Sequence, residues 1–356
     1  MLAVAGLIAW IWWNAAYQPP KRKSPGTNTV TETAKQIVTN TAPVIAPITN
    51  ARLPDIPTNQ PAPLPYTLQM RTGSVRNYFE AQVALARQGL SPGSIDGSGG
   101  SQTRAALRAF QSRERLPQTG DLDAETKSRL VLTEPAYSYY IVTGSDLQNL
   151  APVPETWLGK SERPALGYEN LVELIAEKAQ ASPGTIKVLN PQLDWDHVPP
   201  GTLVRIPWVM RTPFVAKASF VRILLREKVL EAYGGSSNLL AHFPCSIAKK
   251  VEKRPIGRLT VARIALNPNY VFDPAIFPES AEARLIDHKL VLPPGPNNPV
   301  GIAWIGLDKP GYGIHGTPKP EQIGRTESHG CFRLANWNAE YLAQMVWVGM
   351  PVYVEP

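Results

Sequence analysis

Apolar residues along the chain follow three successive patterns, and each pattern predicts a different kind of structure. Between residues 74 and 132 they recur at helical spacing, beginning with Phe79 and Val83, which predicts three short helices. Residues 139–208 predict a strand, two helices and a second strand. After Pro213 the apolar residues alternate with polar ones, as expected of a mostly β domain. The chain is therefore predicted to be a multi-domain α+β protein.

Single residues and short runs indicate where these elements begin and end. Ser101 is expected to cap the second helix and Asp123 the third, because a side-chain oxygen there accepts a hydrogen bond from the first helical turn. In the β domain, Asn336 is expected to begin a helix over residues 337–348. Strands are predicted at residues 220–225, 229–233, 259–264, 300–307 and 352–354.

The N-terminal part of the chain shows neither helical spacing nor alternation. Residues 2–16 are almost wholly apolar, which predicts a signal peptide or a signal anchor, although a full membrane span needs about 20 residues. Lys21–Lys23 follow this run, opposite to the charge bias of an exported anchor. Residues 18–66 are rich in proline and threonine and predict an extended tether. We therefore expect a protein that is exported or anchored outside the cytoplasm.

Composition narrows the class of protein only slightly. The length of 356 residues allows two or three domains, and the net charge of +7 suggests an anionic partner such as nucleic acid, a membrane surface or a wall polymer. Cys245 and Cys331 are too few for a disulfide framework. The apolar neighbours of Cys245 predict that it packs in the β core. Cys331 needs a separate explanation.

Two segments of the β domain, GYGIHGTPKPEQIGR and TESHGCFRLAN, favour nucleophilic catalysis by a cysteine. The chain between them is expected to loop back and bring His315 within hydrogen-bond reach of Cys331. A histidine beside a thiol lowers the thiol pKa and accepts its proton. Gly330 allows backbone N–H groups to face a developing oxyanion. Arg333 can receive a substrate carboxylate through paired hydrogen bonds.

Two other readings of the same residues stay open. His315, His329 and Cys331 could together bind zinc, as in a metallopeptidase with a water nucleophile. Against this, the chain has no glutamate in a helical His-Glu-x-x-His arrangement. The chain could also be a non-catalytic scaffold that binds the cell wall, although an intact histidine and cysteine pair argues against that reading.

Three stretches resemble known families. ARQGLSPGSIDG and SQTRAALRAFQ are similar to the three-helix peptidoglycan-binding domain, and VLNP with PPGTLVRIP resembles a LysM module. The LysM-like segment departs from the family pattern in a long insertion over residues 146–168. An alternative to glycan binding is therefore that this segment is a spacer packed against the next domain. YGIHGT, IGRTESHGCFRL and NPVGIAWIGL resemble the L,D-transpeptidase catalytic domain, also called YkuD.

The last resemblance implies a set of roles and a reaction. Cys331 would be the acylated nucleophile, His315 its base, and the carbonyl of Gly316 the group that orients this base. A thioester would form at the diamino acid of a stem tetrapeptide with release of D-alanine, and an amine of a second stem would accept the acyl group. Water or a lipoprotein are alternative acceptors, and carbapenems are the expected inhibitors. Ser328, His329, Gly330, Tyr312 and Arg333 would line the site.

Together these expectations divide the chain into five parts. They are a signal anchor or signal peptide at 1–17, a Pro-rich linker at 18–70, a peptidoglycan-binding domain at 71–134, a LysM-like domain at 138–210 and a β-sandwich-like catalytic domain at 214–356. The expected partner is peptidoglycan, through its stem peptides and glycan strands, with the membrane reached through the N-terminal anchor. We expect a periplasmic monomer that binds no nucleic acid and needs no cofactor or metal.

Overall fold

The computed structural model describes residues 71–209, 216–277, 280–325 and 330–356. The predicted anchor and linker lie outside these ranges, as do Ser328 and His329. Within the described ranges, none of the helices has the length and apolar character needed to cross a membrane. The anchor therefore stays a prediction.

The first described segment contains the three helices that the sequence predicts. They are α1 (Tyr78–Arg87), α2 (Ser101–Arg113) and α3 (Ala124–Arg129). Two short strands, β1 (Gly73–Ser74) and β2 (Val131–Leu132), pair antiparallel and join the ends of the segment. Apolar side chains on the inner helix faces, including those of Leu85, Leu107 and Phe110, are at most 1% exposed.

Of the two helix caps predicted for this segment, that of α3 is present and that of α2 is not. Asp123 caps α3, since its side chain accepts a hydrogen bond from the backbone N–H of Thr126 at 2.8 Å. The prediction for α2 is wrong, because Gly100 occupies the cap position and Ser101 is already the first helical residue. Without a side-chain oxygen at the cap, the first turn of α2 leaves its N–H groups to other acceptors.

The second segment has the predicted order of a strand, two helices and a strand. The outer strands β3 (Tyr137–Ile141) and β4 (Leu203–Pro207) pair antiparallel. Before the two expected helices, the insertion adds two short ones. In chain order the helices are α4 (Gly144–Gln148), α5 (Trp157–Ser161), α6 (Leu171–Lys178) and α7 (Pro183–Leu189). The buried residues of this segment and of the first segment form one common apolar core.

The third segment is mostly β, which confirms the predicted fold class. Its strands are β5 (Phe220–Leu224), β6 (Val229–Tyr233), β7 (Leu239–Pro244), β8 (Gly257–Leu266), β9 (Tyr270–Phe272), β10 (Leu290–Leu292), β11 (Ala303–Leu307), β12 (Gly313–His315), β13 (Phe332–Arg333) and β14 (Pro351–Glu355). Eight of them form one sheet in the order β13-β12-β11-β8-β14-β5-β6-β7, and β9 pairs with β10 beside it. Helix α8 (Asn336–Met345) packs on this sheet, and its buried face joins the apolar core.

The insertion that interrupts the LysM-like pattern packs against the β domain. The ring of Trp157 stacks on that of Phe272, with 4.3 Å between the ring centroids. The backbone of Leu166 donates to the carbonyl of Pro294 at 2.9 Å and accepts from the N–H of Asn297 at 3.0 Å. Stacked aromatic rings and satisfied backbone groups are typical of a stable interface. The insertion therefore joins the second segment to the third.

Candidate active site

The parallel pairing of β12 with β13 brings the two candidate segments together. Ile314 lies opposite Phe332, and His315 lies opposite Arg333. Since successive residues of a strand face opposite sides, Ile314 and Phe332 enter the core, where both are almost fully buried. His315, Arg333 and Cys331 belong to the other face. The chain loops back as the sequence predicts, at the edge of the eight-stranded sheet.

His315 is held in one orientation by its neighbours. Its Nδ1 lies 2.6 Å from the carbonyl oxygen of Gly316, and its ring stacks on Trp304 with 5.6 Å between centroids. A carbonyl oxygen can only accept, so Nδ1 carries the proton and Nε2 is left as an acceptor in the neutral ring. Burial lowers the pKa of His315 to about 4, against the opposing effect of the Gly316 hydrogen bond. The imidazole is therefore neutral at pH 7.

Cys331 is a protonated thiol in this environment. Its Sγ lies 3.5 Å from the carbonyl oxygen of Gly311, and it forms no disulfide. Burial raises the pKa of the Cys331 thiol to about 11, although the backbone of Gly313 and the charge of Arg333 both act to lower it. The thiol pKa is thus raised and not lowered as the sequence predicts, because burial outweighs the effects of Gly313 and Arg333. The thiol and the imidazole of His315 are therefore both neutral at pH 7.

Cys245 occupies the core, as the sequence predicts. It is fully buried among the apolar residues of the sheet, and burial raises the pKa of its thiol to about 12. Such a thiol is unreactive at neutral pH. The two cysteines therefore lie in different environments. Cys245 packs in the core, and Cys331 lies at the edge of the sheet.

The positive charge of Arg333 affects the pKa of both His315 and Cys331. Its backbone is fixed by paired hydrogen bonds with Ser246, each 2.9 Å long. Its guanidinium lowers the pKa of His315 and that of Cys331, in each case as a smaller contribution beside burial. A positive charge at this position favours the neutral imidazole and the thiolate.

Replacing this arginine should therefore change how His315 titrates. We expect Arg333→Gln to raise the His315 pKa, because a nearby positive charge that disfavours imidazolium has been removed. NMR titration of the histidine ring protons measures this change. Arg325→Gln, which removes an exposed arginine from the preceding loop, is the control and should leave the titration unchanged. A His315 pKa that stays constant or falls in Arg333→Gln would contradict this electrostatic role.

Two tyrosines face the thiol. Tyr312 lies next to β12, and the nearby Cys331 contributes, after burial, to raising its pKa. Tyr270 of β9 is more deeply buried, which raises its pKa to about 12, and Cys331 adds to this shift. No local sequence pattern indicates Tyr270, since it lies some sixty positions before the cysteine. An added Cβ at Gly330 would meet Tyr312 only at 3.9 Å, so space remains beside the backbone there.

Asn336 is a site residue whose place the sequence did not predict. The helix it begins is present but runs from Asn336 to Met345, shorter than expected, and no side chain caps it. Instead the buried Asn336 side chain accepts from the N–H of Ile302 at 3.3 Å. Its Oδ1 lies between Gly301 and Gly316, where an added Cβ at either glycine would overlap it. Asn336 thus contacts the residue whose carbonyl orients His315.

The hypothesis of a zinc site depends partly on His329, which lies outside the described ranges. Among the described residues, no group of three or more His, Cys, Asp and Glu side chains is placed to hold a metal ion. His329 is not among them, so that alternative stays a hypothesis.

Comparison with known families identifies the domain that contains this site. Residues 219–354 match the L,D-transpeptidase catalytic domain, and residues 76–130 match the "Putative peptidoglycan binding domain". The chain carries an L,D-transpeptidase catalytic domain. Both segments of the site, with His315 and Cys331, lie inside the matched range.

Individual relatives bear related names. The chain is 24% identical to the "Putative L,D-transpeptidase YkuD" of Bacillus licheniformis, over 52% of this chain and 93% of that protein. It is 30% identical to the "Probable L,D-transpeptidase YbiS" of Escherichia coli K12, over 52% of this chain but only 60% of that protein. An L,D-transpeptidase structure from Mycobacterium smegmatis aligns at 20% identity and a TM-score of 0.31, covering 43% of this chain and 66% of the other.

Proposed function

We propose that this protein is a peptidoglycan L,D-transpeptidase in which Cys331 is the nucleophile. The observation that supports the proposal is the pairing of β12 with β13, which brings the segment of Cys331 next to the strand that carries His315, whose ring is held by the Gly316 carbonyl. The match of residues 219–354 to the L,D-transpeptidase catalytic domain supplies the reaction class. The match of residues 76–130 supports peptidoglycan as the substrate.

In the first half-reaction the enzyme is acylated. Cys331 Sγ attacks the carbonyl carbon between the diamino acid and D-alanine, while His315 Nε2 accepts the thiol proton. Because both groups are neutral at rest, proton transfer accompanies the attack and does not precede it. Backbone N–H groups of Gly330 and Cys331 face the oxyanion. D-alanine leaves with the proton from His315, and a thioester remains on Cys331.

The second half-reaction returns the enzyme to its resting state. An amine of a second stem attacks the thioester carbonyl, and His315 Nε2 accepts the amine proton. Collapse of the intermediate forms the new amide bond and breaks the bond to sulfur, which recovers its proton from His315. Arg333, beside the nucleophile, binds a carboxylate of the acidic stem, and Tyr312 lines the same face.

Features elsewhere in the chain support a reaction at the cell wall. The helical segment binds peptidoglycan, and the enzyme acts outside the cytoplasm, held to the membrane by residues 1–17. The positive net charge of +7 suits an acidic wall polymer. The LysM-like segment could add glycan contacts, but its observed packing favours the role of a spacer that supports the catalytic domain.

Product analysis tests the proposal. Purified protein is incubated with disaccharide-tetrapeptides, and the products are separated by chromatography and identified by mass spectrometry. We expect free D-alanine and a cross-linked dimer in equal amounts. Tripeptide without dimer would identify water as the acceptor and an L,D-carboxypeptidase, while unchanged substrate would favour a wall-binding scaffold. Chelator-sensitive hydrolysis at another bond would favour the zinc reading.

A further inference from the structure

We propose that Glu177, on α6 of the LysM-like segment, is a positioning residue for His315 and acts through Asn336. The inference rests on the proposed function, because it concerns the same histidine and thiol. It assigns the second segment a part in catalysis that glycan binding does not require.

The amide of Asn336 is oriented by groups on both of its sides. Its Oδ1 accepts from the N–H of Ile302 and fits between two glycines, one of which is Gly316. Its Nδ2 therefore points away from Gly316, toward the LysM-like segment and the carbonyl of Pro296. Since Oδ1 contacts Gly316, any rotation of the amide would displace the residue whose carbonyl holds His315 Nδ1.

Glu177 supplies most of the acceptors on the other side. Asn336 Nδ2 donates to both carboxyl oxygens of Glu177, each at 3.1 Å, and to the carbonyl oxygen of Pro296 at 3.1 Å. Glu177 and Asn336 are 159 positions apart, so this contact exists only because the two segments pack together. A buried amide whose donors lose their acceptor is destabilised or moves.

Glu177 itself is held by the packing of α6. Tyr168 donates its hydroxyl to Glu177 Oε1 at 3.4 Å. One turn earlier, Glu173 accepts from the side chain of Asn297 at 2.6 Å, which ties α6 to the loop before Gly301. Burial raises the pKa of Glu177 to about 8, which favours its neutral form. A glutamine at this position is also neutral, has nearly the same shape and keeps one acceptor oxygen for Asn336.

The consequence for catalysis is specific. Removing the Glu177 carboxyl leaves Asn336 Nδ2 with one protein acceptor and frees the amide to rotate. Gly316 then no longer holds His315 in the orientation that directs Nε2 at the thiol. The rate of proton transfer from Cys331 should fall, whereas substrate affinity should not, because Glu177 lies on the side of Asn336 away from His315 and Cys331.

The test compares Glu177→Ala with Glu177→Gln in the full chain. Acylation by the carbapenem imipenem, followed at several concentrations, gives a maximal rate and a half-saturating concentration. Alkylation of Cys331 by iodoacetamide, followed by peptide mass mapping, gives the reactivity of the thiol without any substrate. We expect Glu177→Ala to lower both rates by about tenfold or more with an unchanged half-saturating concentration, because small displacements of catalytic groups cost 10- to 100-fold. Glu177→Gln should stay within about twofold of wild type.

Two further variants separate positioning from stability. Val172→Ala removes apolar contacts from the buried face of the same helix and should lower the melting temperature without lowering either rate. Asn336→Ala should reproduce the Glu177→Ala loss, and the double variant should lose nothing more, since both side chains act in one chain of contacts. If Glu177→Ala does not fold, Glu177→Leu keeps the volume and removes the acceptors.

The outcomes decide the proposal separately from the proposed function. Wild-type rates in Glu177→Ala or Glu177→Leu would overturn it, as would equal losses in Glu177→Ala and Glu177→Gln. Equal rate losses in Val172→Ala would also overturn it, by showing that any loosening of the helix suffices. If imipenem does not acylate wild-type Cys331, the proposed function fails, but the alkylation rates still test the positioning of His315.

Discussion

Replacing Cys331 by alanine is expected to abolish acylation, with a loss of about 10⁴-fold or more in rate, because the thioester cannot form without the thiol. Neither D-alanine release nor cross-linked dimer should be detectable, although the protein should fold normally. Cys331 lies at the sheet edge and is partly exposed, so its replacement leaves the core intact. Product mass spectrometry together with a melting curve measures both expectations.

Cys245→Ala is the matched control for this variant. Cys245 is the other free cysteine and is fully buried in the core, so its replacement should lower stability slightly and leave acylation intact. If Cys331→Ala retained D-alanine release while Cys245→Ala lost it, the assignment of the nucleophile would be wrong.

His315→Ala is expected to lower the acylation rate at pH 7 by about 10²- to 10⁴-fold, the usual contribution of a general base. The thiol pKa of about 11 means that Cys331 is protonated at neutral pH and needs this base. As pH rises toward 11, the thiolate fraction grows about tenfold per unit, so the variant should recover rate in proportion. The wild-type rate should instead fall only when His315 becomes protonated, below about pH 4 to 5.

The pH profile of acylation measures this difference. His288→Ala, which changes an exposed histidine outside the site, should keep the wild-type profile. A His315→Ala rate at pH 7 equal to that of wild type would show that another group takes the thiol proton. A flat profile in the variant would show that thiol ionisation does not limit its rate.

Local sequence predicted most of the secondary structure, because the relevant signals lie within a few residues of each other. Helical spacing in the first segment and alternation after Pro213 each report which side chains face a core. The cap at Asp123 could also be predicted from local sequence, since it requires only a side-chain oxygen three residues before an N–H group. Where the local signal is weaker, as at Ser101, the boundary moved by one residue.

Only the part of the candidate site that is formed by residues close together in sequence could be predicted. The pairing of β12 with β13 could be expected, because a loop with turn residues joins the segment of His315 to that of Cys331. The contribution of Tyr270 could not, since it depends on where β9 packs relative to the sheet. The raised thiol pKa was missed for a related reason, because desolvation depends on every group packed around Cys331.

Asn336 illustrates the limit most clearly. Its position just before an apolar helical run favoured a capping role, since asparagine commonly caps helices. In the structure its side chain bonds Glu177 from another segment instead, and tertiary contacts determine its orientation. The insertion over residues 146–168 is a similar case, because a departure from the LysM pattern proved to form the interface with the β domain.

In the proposed reaction, the acyl group of the donor stem passes through a thioester on Cys331. The most direct measurement is peptide-mapped mass spectrometry of the wild-type protein, quenched in acid during turnover with a disaccharide-tetrapeptide. We expect an adduct on Cys331 whose added mass is that of the donor less D-alanine, and which hydroxylamine removes. Turnover with no such adduct, or with the adduct on another residue, would contradict it.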